Sequence, residues 1–74
     1  MSVQAILLCG HGSKKKEGIQ GLVQLAEKMQ KRYHPIPVEY AFLELASPTY
    51  HEAISRLYHQ GIRKIAAIPV FLFA

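Results

Sequence analysis

The chain has 74 residues, enough for one small domain, and it carries a formal net charge of +4 and a single cysteine. Half of its residues are hydrophobic, a share typical of a folded globular protein. No apolar run approaches the roughly 20 residues of a membrane-spanning helix, the N-terminus lacks a signal-peptide pattern, and one cysteine cannot form an internal disulfide. We therefore expect a cytoplasmic protein without a membrane partner.

The first half of the chain predicts a strand followed by an amphipathic helix. Residues 3–8 are apolar apart from Gln4, as in a short strand that is covered on both faces. Apolar residues then recur at helical spacing, which predicts a helix from about residue 15 to residue 33. Pro35 and Pro37 end this helix, because proline lacks an amide donor. The predicted buried stripe consists of Ile19, Leu22, Val23, Ala26, Met29 and Tyr33.

The second half predicts another strand, another helix and a third strand. Residues 38–43 mix β-branched and aromatic side chains over a strand's length. Ser47 followed by Pro48 predicts the N-cap and first position of the second helix, and Gly61 is placed to terminate it. Residues 64–73 predict a third buried strand, in which Pro69 requires an edge or a bulge. The predicted buried stripe of the helix consists of Ala53, Ile54, Leu57 and Tyr58.

The element order β-α-β-α-β predicts an α/β fold with a parallel sheet, doubly wound in the flavodoxin-like manner, in a single domain over residues 1–74. Right-handed crossovers would bring the carboxyl ends of all three strands to one rim. The chain stops in an apolar strand with no helix after it. We therefore expect a domain that is incomplete at its C-terminus, or one that pairs with another copy as a homo-oligomer.

His11 and Glu44 are the candidate functional residues. His11 lies in Cys9-Gly10-His11-Gly12-Ser13, directly after the first strand, and Glu44 directly follows the second. Ligands of open parallel sheets bind outside the carboxyl ends of the strands, and an imidazole with a carboxylate suits a borderline divalent metal. Two protein ligands leave open positions, as in a catalytic metal site. We expect a third ligand from the rim after the third strand.

Other assignments have less support in the sequence. A dinucleotide-binding loop lacks its third glycine, since Lys15 occupies that position. The lysines at 14, 15 and 16 are either a solvated helix start or a patch for an anionic ligand, and without an aromatic-interleaved basic stripe we expect no nucleic-acid partner. Cys9 is expected to be a small buried strand residue and not a nucleophile, and His34 and His59 are expected to lie at the surface. His51 lies in the first turns of the second helix, whose N-terminus faces the rim, and is therefore a weaker candidate for lining the site.

Three ordered motifs carry a resemblance to a known family. They are Leu8-Cys9-Gly10-His11-Gly12-Ser13-Lys14, Ala41-Phe42-Leu43-Glu44-Leu45-Ala46-Ser47-Pro48 and Ile68-Pro69-Val70-Phe71-Leu72. Together they resemble the sirohydrochlorin chelatases of the small class II type, which include cobaltochelatases of cobalamin synthesis and siroheme ferrochelatases. The resemblance covers essentially the whole chain. It implies a chelatase-like fold and a lyase that inserts a divalent metal into a tetrapyrrole, with His11 as metal ligand and catalytic residue and Glu44 as metal-site residue.

The resemblance also implies substrates and an order of segments. Family members carry a Gly-x-His segment after the third motif, so this chain is expected to be an N-terminal portion that lacks the second catalytic histidine. The metal substrate is expected to be Co²⁺, with Fe²⁺ or Ni²⁺ as alternatives, and no organic cofactor is expected. Ser13, Lys14 and Lys15 are expected to bind the carboxylates of sirohydrochlorin. Two other hypotheses are a non-catalytic metal-binding carrier and an oligomerising half-domain.

Overall fold

A computed structural model describes residues 3–12 and 16–70 of the chain. The three strands are parallel and form one sheet in the order β2-β1-β3, which confirms the predicted α/β fold. The elements are β1 (Ala5–Gly10), α1 (Lys16–Tyr33), β2 (Val38–Phe42), α2 (Tyr50–His59) and β3 (Ile65–Val70).

The central strand β1 packs against a helix on each face of the sheet. Ile6 and Leu8 belong to a buried cluster that includes Leu22 of α1. The intervening residue, Leu7, belongs to a second cluster with Ala53 of α2. Because successive strand residues point to opposite faces, the two helices cover opposite sides of the sheet, as the doubly wound arrangement requires.

The strand boundaries differ by a few residues from those predicted. β1 begins at Ala5 and continues to Gly10, where it still pairs with both neighbouring strands. The sequence suggested an earlier end because glycine is usually a loop signal. β2 ends at Phe42, which leaves Leu43 outside the strand and exposed.

Gln30 organises the turn between α1 and β2. Its side-chain amide donates to the Ile36 carbonyl at 2.9 Å, and its side-chain oxygen accepts from the Val38 amide at 2.8 Å. Prolines 35 and 37 carry no amide hydrogens, so these two bonds replace backbone bonds that the turn does not supply. The helix ends at Tyr33, as predicted. Tyr33 itself is exposed and is not part of the buried stripe.

The start of α2 corrects the prediction that Ser47 is the N-cap. Thr49 is the N-cap: its hydroxyl accepts from the Glu52 amide at 3.2 Å, and the Glu52 carboxylate accepts from the Thr49 amide at 2.8 Å. This capping box requires a partner three residues after the cap, which Thr49 has in Glu52. Pro48 stays outside the helix, where its carbonyl accepts from the Phe42 amide at 2.9 Å.

We expect Thr49→Ala to destabilise the protein by about 1 kcal/mol, since the Glu52 amide loses its acceptor. Hydrogen bonds from the Thr49 amide and hydroxyl also hold the pKa of Glu52 below its usual value, as expected of a carboxylate that acts as a cap. Urea denaturation followed by circular dichroism measures the change. Thr49→Ser keeps the hydroxyl and is the matched control; an equal loss in both variants would contradict the capping role.

The end of α2 confirms Gly61 as the terminating residue. Gly61 has a φ of +89°, its amide donates to the Tyr58 carbonyl at 3.0 Å, and the Ile62 amide donates to the Leu57 carbonyl at 3.1 Å. These two bonds define a Schellman motif. Tyr58 was predicted to be buried but is exposed, because it lies about 100° around the helix from the buried Leu57. The Arg63 guanidinium covers its ring at 3.7 Å from the centroid.

The prediction that the third strand is buried is wrong for its described part. β3 lies at the edge of the sheet beside β1, and Ala67, Ile68 and Pro69 are exposed. The two helices pack mainly against β1 and β2, so β3 has less cover. The edge position agrees with the prediction made from Pro69, which lacks an amide donor and is therefore tolerated only at an edge or a bulge. Residues 71–74, which the prediction included in this strand, lie outside the described residues.

Within the described part of the chain, neither α1 nor α2 combines the length and hydropathy that crossing a membrane requires.

Candidate metal site

The carboxyl ends of β1 and β2 lie side by side and continue to pair beyond the strands. Gly10 and Phe42 are the last residues in register. The Leu43 amide then donates to the Gly10 carbonyl at 3.0 Å, and the Glu44 amide donates to the His11 carbonyl at 3.2 Å. The hydrogen-bonded ladder therefore carries His11 and Glu44 to adjacent positions on one rim of the sheet.

The side chains of His11 and Glu44 also meet. His11 Nε2 lies 3.4 Å from Glu44 Oε1, and the two side chains are 73% and 60% exposed. A polar contact this open to solvent contributes at most about 1 kcal/mol to stability. The structure thus places the two predicted residues together at a position that solutes reach freely.

The separation of the two ligand atoms is compatible with binding one metal ion. With metal–ligand distances of about 2.1 Å, two ligands at 90–110° lie about 3.0–3.4 Å apart. The 3.4 Å between Nε2 and Oε1 falls at the upper end of that range. Imidazole nitrogen with carboxylate oxygen suits cobalt, iron, nickel and zinc alike, so the pair does not select among them.

Gly12 fixes how closely the two loops approach. Its φ is +121°, in the region that side-chain-bearing residues rarely adopt, and a Cβ atom at this position would overlap the Glu44 carbonyl oxygen. Only glycine allows this contact. The residue after His11 is therefore part of the structure that positions Glu44.

Leu43 and Leu45, on either side of Glu44, were missed as candidate functional residues. Their exposed fractions are 61% and 58%. Leu45 has a φ of +68°, a left-handed conformation that costs a non-glycine residue about 1–3 kcal/mol. The sequence predicts Leu43 as the last residue of the second strand. The signal that could have identified the two leucines is a pair of large apolar residues flanking a carboxylate where the strand ends.

The remaining candidates do not join the pair in the described structure. His51 is exposed in the first turn of α2, and residues 3–12 and 16–70 contain no group of three or more histidine, cysteine or acidic side chains arranged to hold a metal. Cys9 was predicted to be buried but is half-buried. It packs against the cluster that contains Leu7, and burial raises the pKa of its thiol. His34 and His59 are exposed, as expected.

The predicted substrate-binding residues Ser13, Lys14 and Lys15 lie outside the described residues. Lys16, which follows them, is the exposed first residue of α1.

The rim residues and the fold can be compared with known proteins. The CbiX family model matches residues 5–74. The chain belongs to the CbiX family. A CbiX protein from Marinobacter aquaeolei VT8, known from a crystal structure, superposes with a TM-score of 0.79 at 28% identity, over 95% of this chain and 57% of that one. The agreement confirms the predicted chelatase-like fold.

Curated relatives of this CbiX chain carry chelatase names. The sirohydrochlorin cobaltochelatase of Methanocaldococcus jannaschii is 39% identical over 71 residues, which are 95% of this chain and 49% of the relative. The sirohydrochlorin ferrochelatase of Priestia megaterium is 37% identical over 70 residues, which are 95% of this chain and 26% of the relative. The chain thus spans about half the length of the cobaltochelatase. The expectation that residues 1–74 form a single domain, incomplete at its C-terminus, stays a prediction.

Proposed function

We propose that this CbiX chain is part of a sirohydrochlorin chelatase, which inserts a divalent metal ion into the tetrapyrrole. The observation that carries the proposal is the 3.4 Å approach of His11 Nε2 to Glu44 Oε1 at the carboxyl-end rim of the sheet. Similarity to relatives named cobaltochelatase and ferrochelatase supports the reaction class.

The reaction needs the two kinds of group that this rim presents. Insertion replaces water on the metal by four ring nitrogens and releases two pyrrole protons, so that a dication and a neutral ring give a neutral complex and two protons. The neutral imidazole of His11 holds the incoming ion or accepts a pyrrole proton, and the Glu44 carboxylate offsets the charge of the dication. Both side chains are exposed, so the ion and the ring reach them from solvent.

We assign Co²⁺ as the first metal to test, with Fe²⁺ and Ni²⁺ next. Similarity to a cobaltochelatase supports cobalt as the metal and cobalamin synthesis as the pathway. Similarity to a ferrochelatase supports iron and the siroheme pathway as the alternative. We propose that the reaction uses no organic cofactor. Ser13, Lys14 and Lys15 follow the histidine loop in the sequence and are proposed to bind the ring's carboxylates. We also propose a cytoplasmic homo-oligomer, in which a neighbouring chain or later residues complete the metal coordination.

The test is an insertion assay on the full-length protein. Sirohydrochlorin loses its fluorescence as the ring takes up Co²⁺, and the initial rate is measured above the rate without protein. Glu44→Gln keeps the shape of the side chain and removes its charge, so we expect a rate about 10- to 100-fold lower. Glu27→Gln, at an exposed position on α1, is the matched control and should leave the rate unchanged.

Two results would contradict the proposal. One is an equal rate for Glu44→Gln and Glu27→Gln. The other is a protein that binds Co²⁺ but does not accelerate insertion with any of the three metals, as the hypothesis of a non-catalytic carrier predicts.

A further inference from the structure

Leu43 and Leu45 are exposed although the chain around them is well anchored. Hydrogen bonds from the Leu43 and Glu44 amides hold this segment to the loop after β1 at 3.0 Å and 3.2 Å. Their exposure is therefore a property of the folded backbone and not of a frayed end. A folded protein gains stability by burying leucine, so two exposed leucines in a fixed segment indicate a surface that becomes covered.

The backbone at Leu45 supports the same conclusion. A φ of +68° favours glycine or asparagine, and leucine occupies this position at an energetic cost. Strained residues that persist in a fold are concentrated at functional sites. Here the strained residue is next to Glu44, and its apolar side chain is more than half exposed.

We propose that Leu43 and Leu45 form the contact surface for the flat apolar face of the tetrapyrrole, one on each side of Glu44. The inference rests on the proposed chelatase function. A ring whose central nitrogens reach an ion held by His11 and Glu44 extends over the neighbouring residues, and the Cα atoms next to Glu44 are only about 3.8 Å away along the chain. Both of those neighbours are leucines.

This contact also serves the chemistry at the carboxylate. An apolar ring face lying on two leucines excludes water from the space around Glu44. Charges interact more strongly when water is removed from between and around them. The leucines therefore act on affinity for the ring and on its orientation, and they take no part in the transfer of protons.

The test separates ring binding from metal binding. Quenching of sirohydrochlorin fluorescence, measured with the full-length protein in the presence of EDTA, gives the Kd for the ring without any insertion. Leu45→Asn keeps a residue that tolerates the left-handed backbone and removes the apolar side chain. Leu43→Asn makes the same change on the other side of Glu44. The matched control is Val3→Asn, since Val3 is exposed and precedes the amino end of β1, at the opposite end of that strand from the rim.

We expect each leucine variant to raise the Kd for sirohydrochlorin about tenfold, in keeping with partial burial of a leucine, and Val3→Asn to leave it unchanged. Co²⁺ affinity, measured by calorimetry without the ring, should be the same in all four proteins. Sedimentation velocity should give the same oligomeric state.

Three results would overturn the inference: an unchanged Kd in both leucine variants, a failure of the unsubstituted protein to bind the ring, or a change of oligomeric state, which would mean that the leucines cover a second copy of the chain. Weaker ring binding in a protein that inserts no metal would support this inference while contradicting the proposed function. Normal insertion with an unchanged Kd in both leucine variants would support the proposed function while contradicting this inference.

Discussion

Replacing His11 with alanine is expected to lower the rate of metal insertion about 100-fold or more. The substitution removes the nitrogen that lies 3.4 Å from the Glu44 carboxylate, and with it a metal ligand or proton acceptor at the rim. The side chain is 73% exposed, so the free energy of unfolding should change by less than about 0.5 kcal/mol. Initial rates at several sirohydrochlorin concentrations separate kcat from KM, and we expect the loss to appear mainly in kcat.

His34→Ala is the matched control for this variant. His34 is exposed, and it lies in the turn after α1, away from the rim where β1 ends. Its removal should leave kcat, KM and Co²⁺ affinity unchanged. Wild-type turnover in His11→Ala would rule out the assigned role, and an equal loss in both histidine variants would show that the effect is not specific to the rim.

The second large effect is expected for Gly12→Ala. The new methyl group would overlap the Glu44 carbonyl oxygen, and the φ of +121° is unfavourable for alanine. The two loops must then separate, which weakens the bond between the Glu44 amide and the His11 carbonyl. We expect a destabilisation of about 2–3 kcal/mol in urea denaturation and a loss of Co²⁺ affinity.

The chain offers a matched substitution at another glycine. Gly21 lies within α1, and apart from its chain neighbours and the backbone of its own helix no atom lies within 4 Å of the position that a Cβ would take. Gly21→Ala should therefore stabilise the protein, by about 0.5–1 kcal/mol, because alanine favours the helix. The two Gly→Ala substitutions should thus change the free energy of unfolding in opposite directions. A similar effect at both positions would contradict the contact that Gly12 makes with Glu44.

The sequence contains enough information to predict the order of elements and the location of the site. β1 is apolar on successive residues, which indicates cover on both faces, and Leu22 and Ala26 fall where the helical period places the buried stripe. Parallel strands end at the same edge, so two polar residues that each follow a strand are brought to one rim. This is why the closeness of His11 and Glu44 could be expected without coordinates.

Other features depend on packing that the sequence does not reveal. Tyr58 shares the apolar character of Leu57 but faces away from the sheet, and β3 is apolar although its described residues lie at an edge. The N-cap of α2 is Thr49 because Glu52 completes its capping box, whereas the Ser47-Pro48 pair alone favours an earlier start. The overlap that excludes a side chain at Gly12 arises between two loops and requires their spatial arrangement.

The ladder of amide bonds that extends past β1 and β2 separates a fixed main chain from exposed side chains. The backbone beneath His11 and Glu44 is hydrogen-bonded in place, whereas their side chains are 73% and 60% exposed. Side chains this exposed can adjust to ions of different radius without moving the strands that carry them. In the proposed reaction, preference for one metal would therefore depend on the further ligands that complete the coordination, and not on β1 and β2.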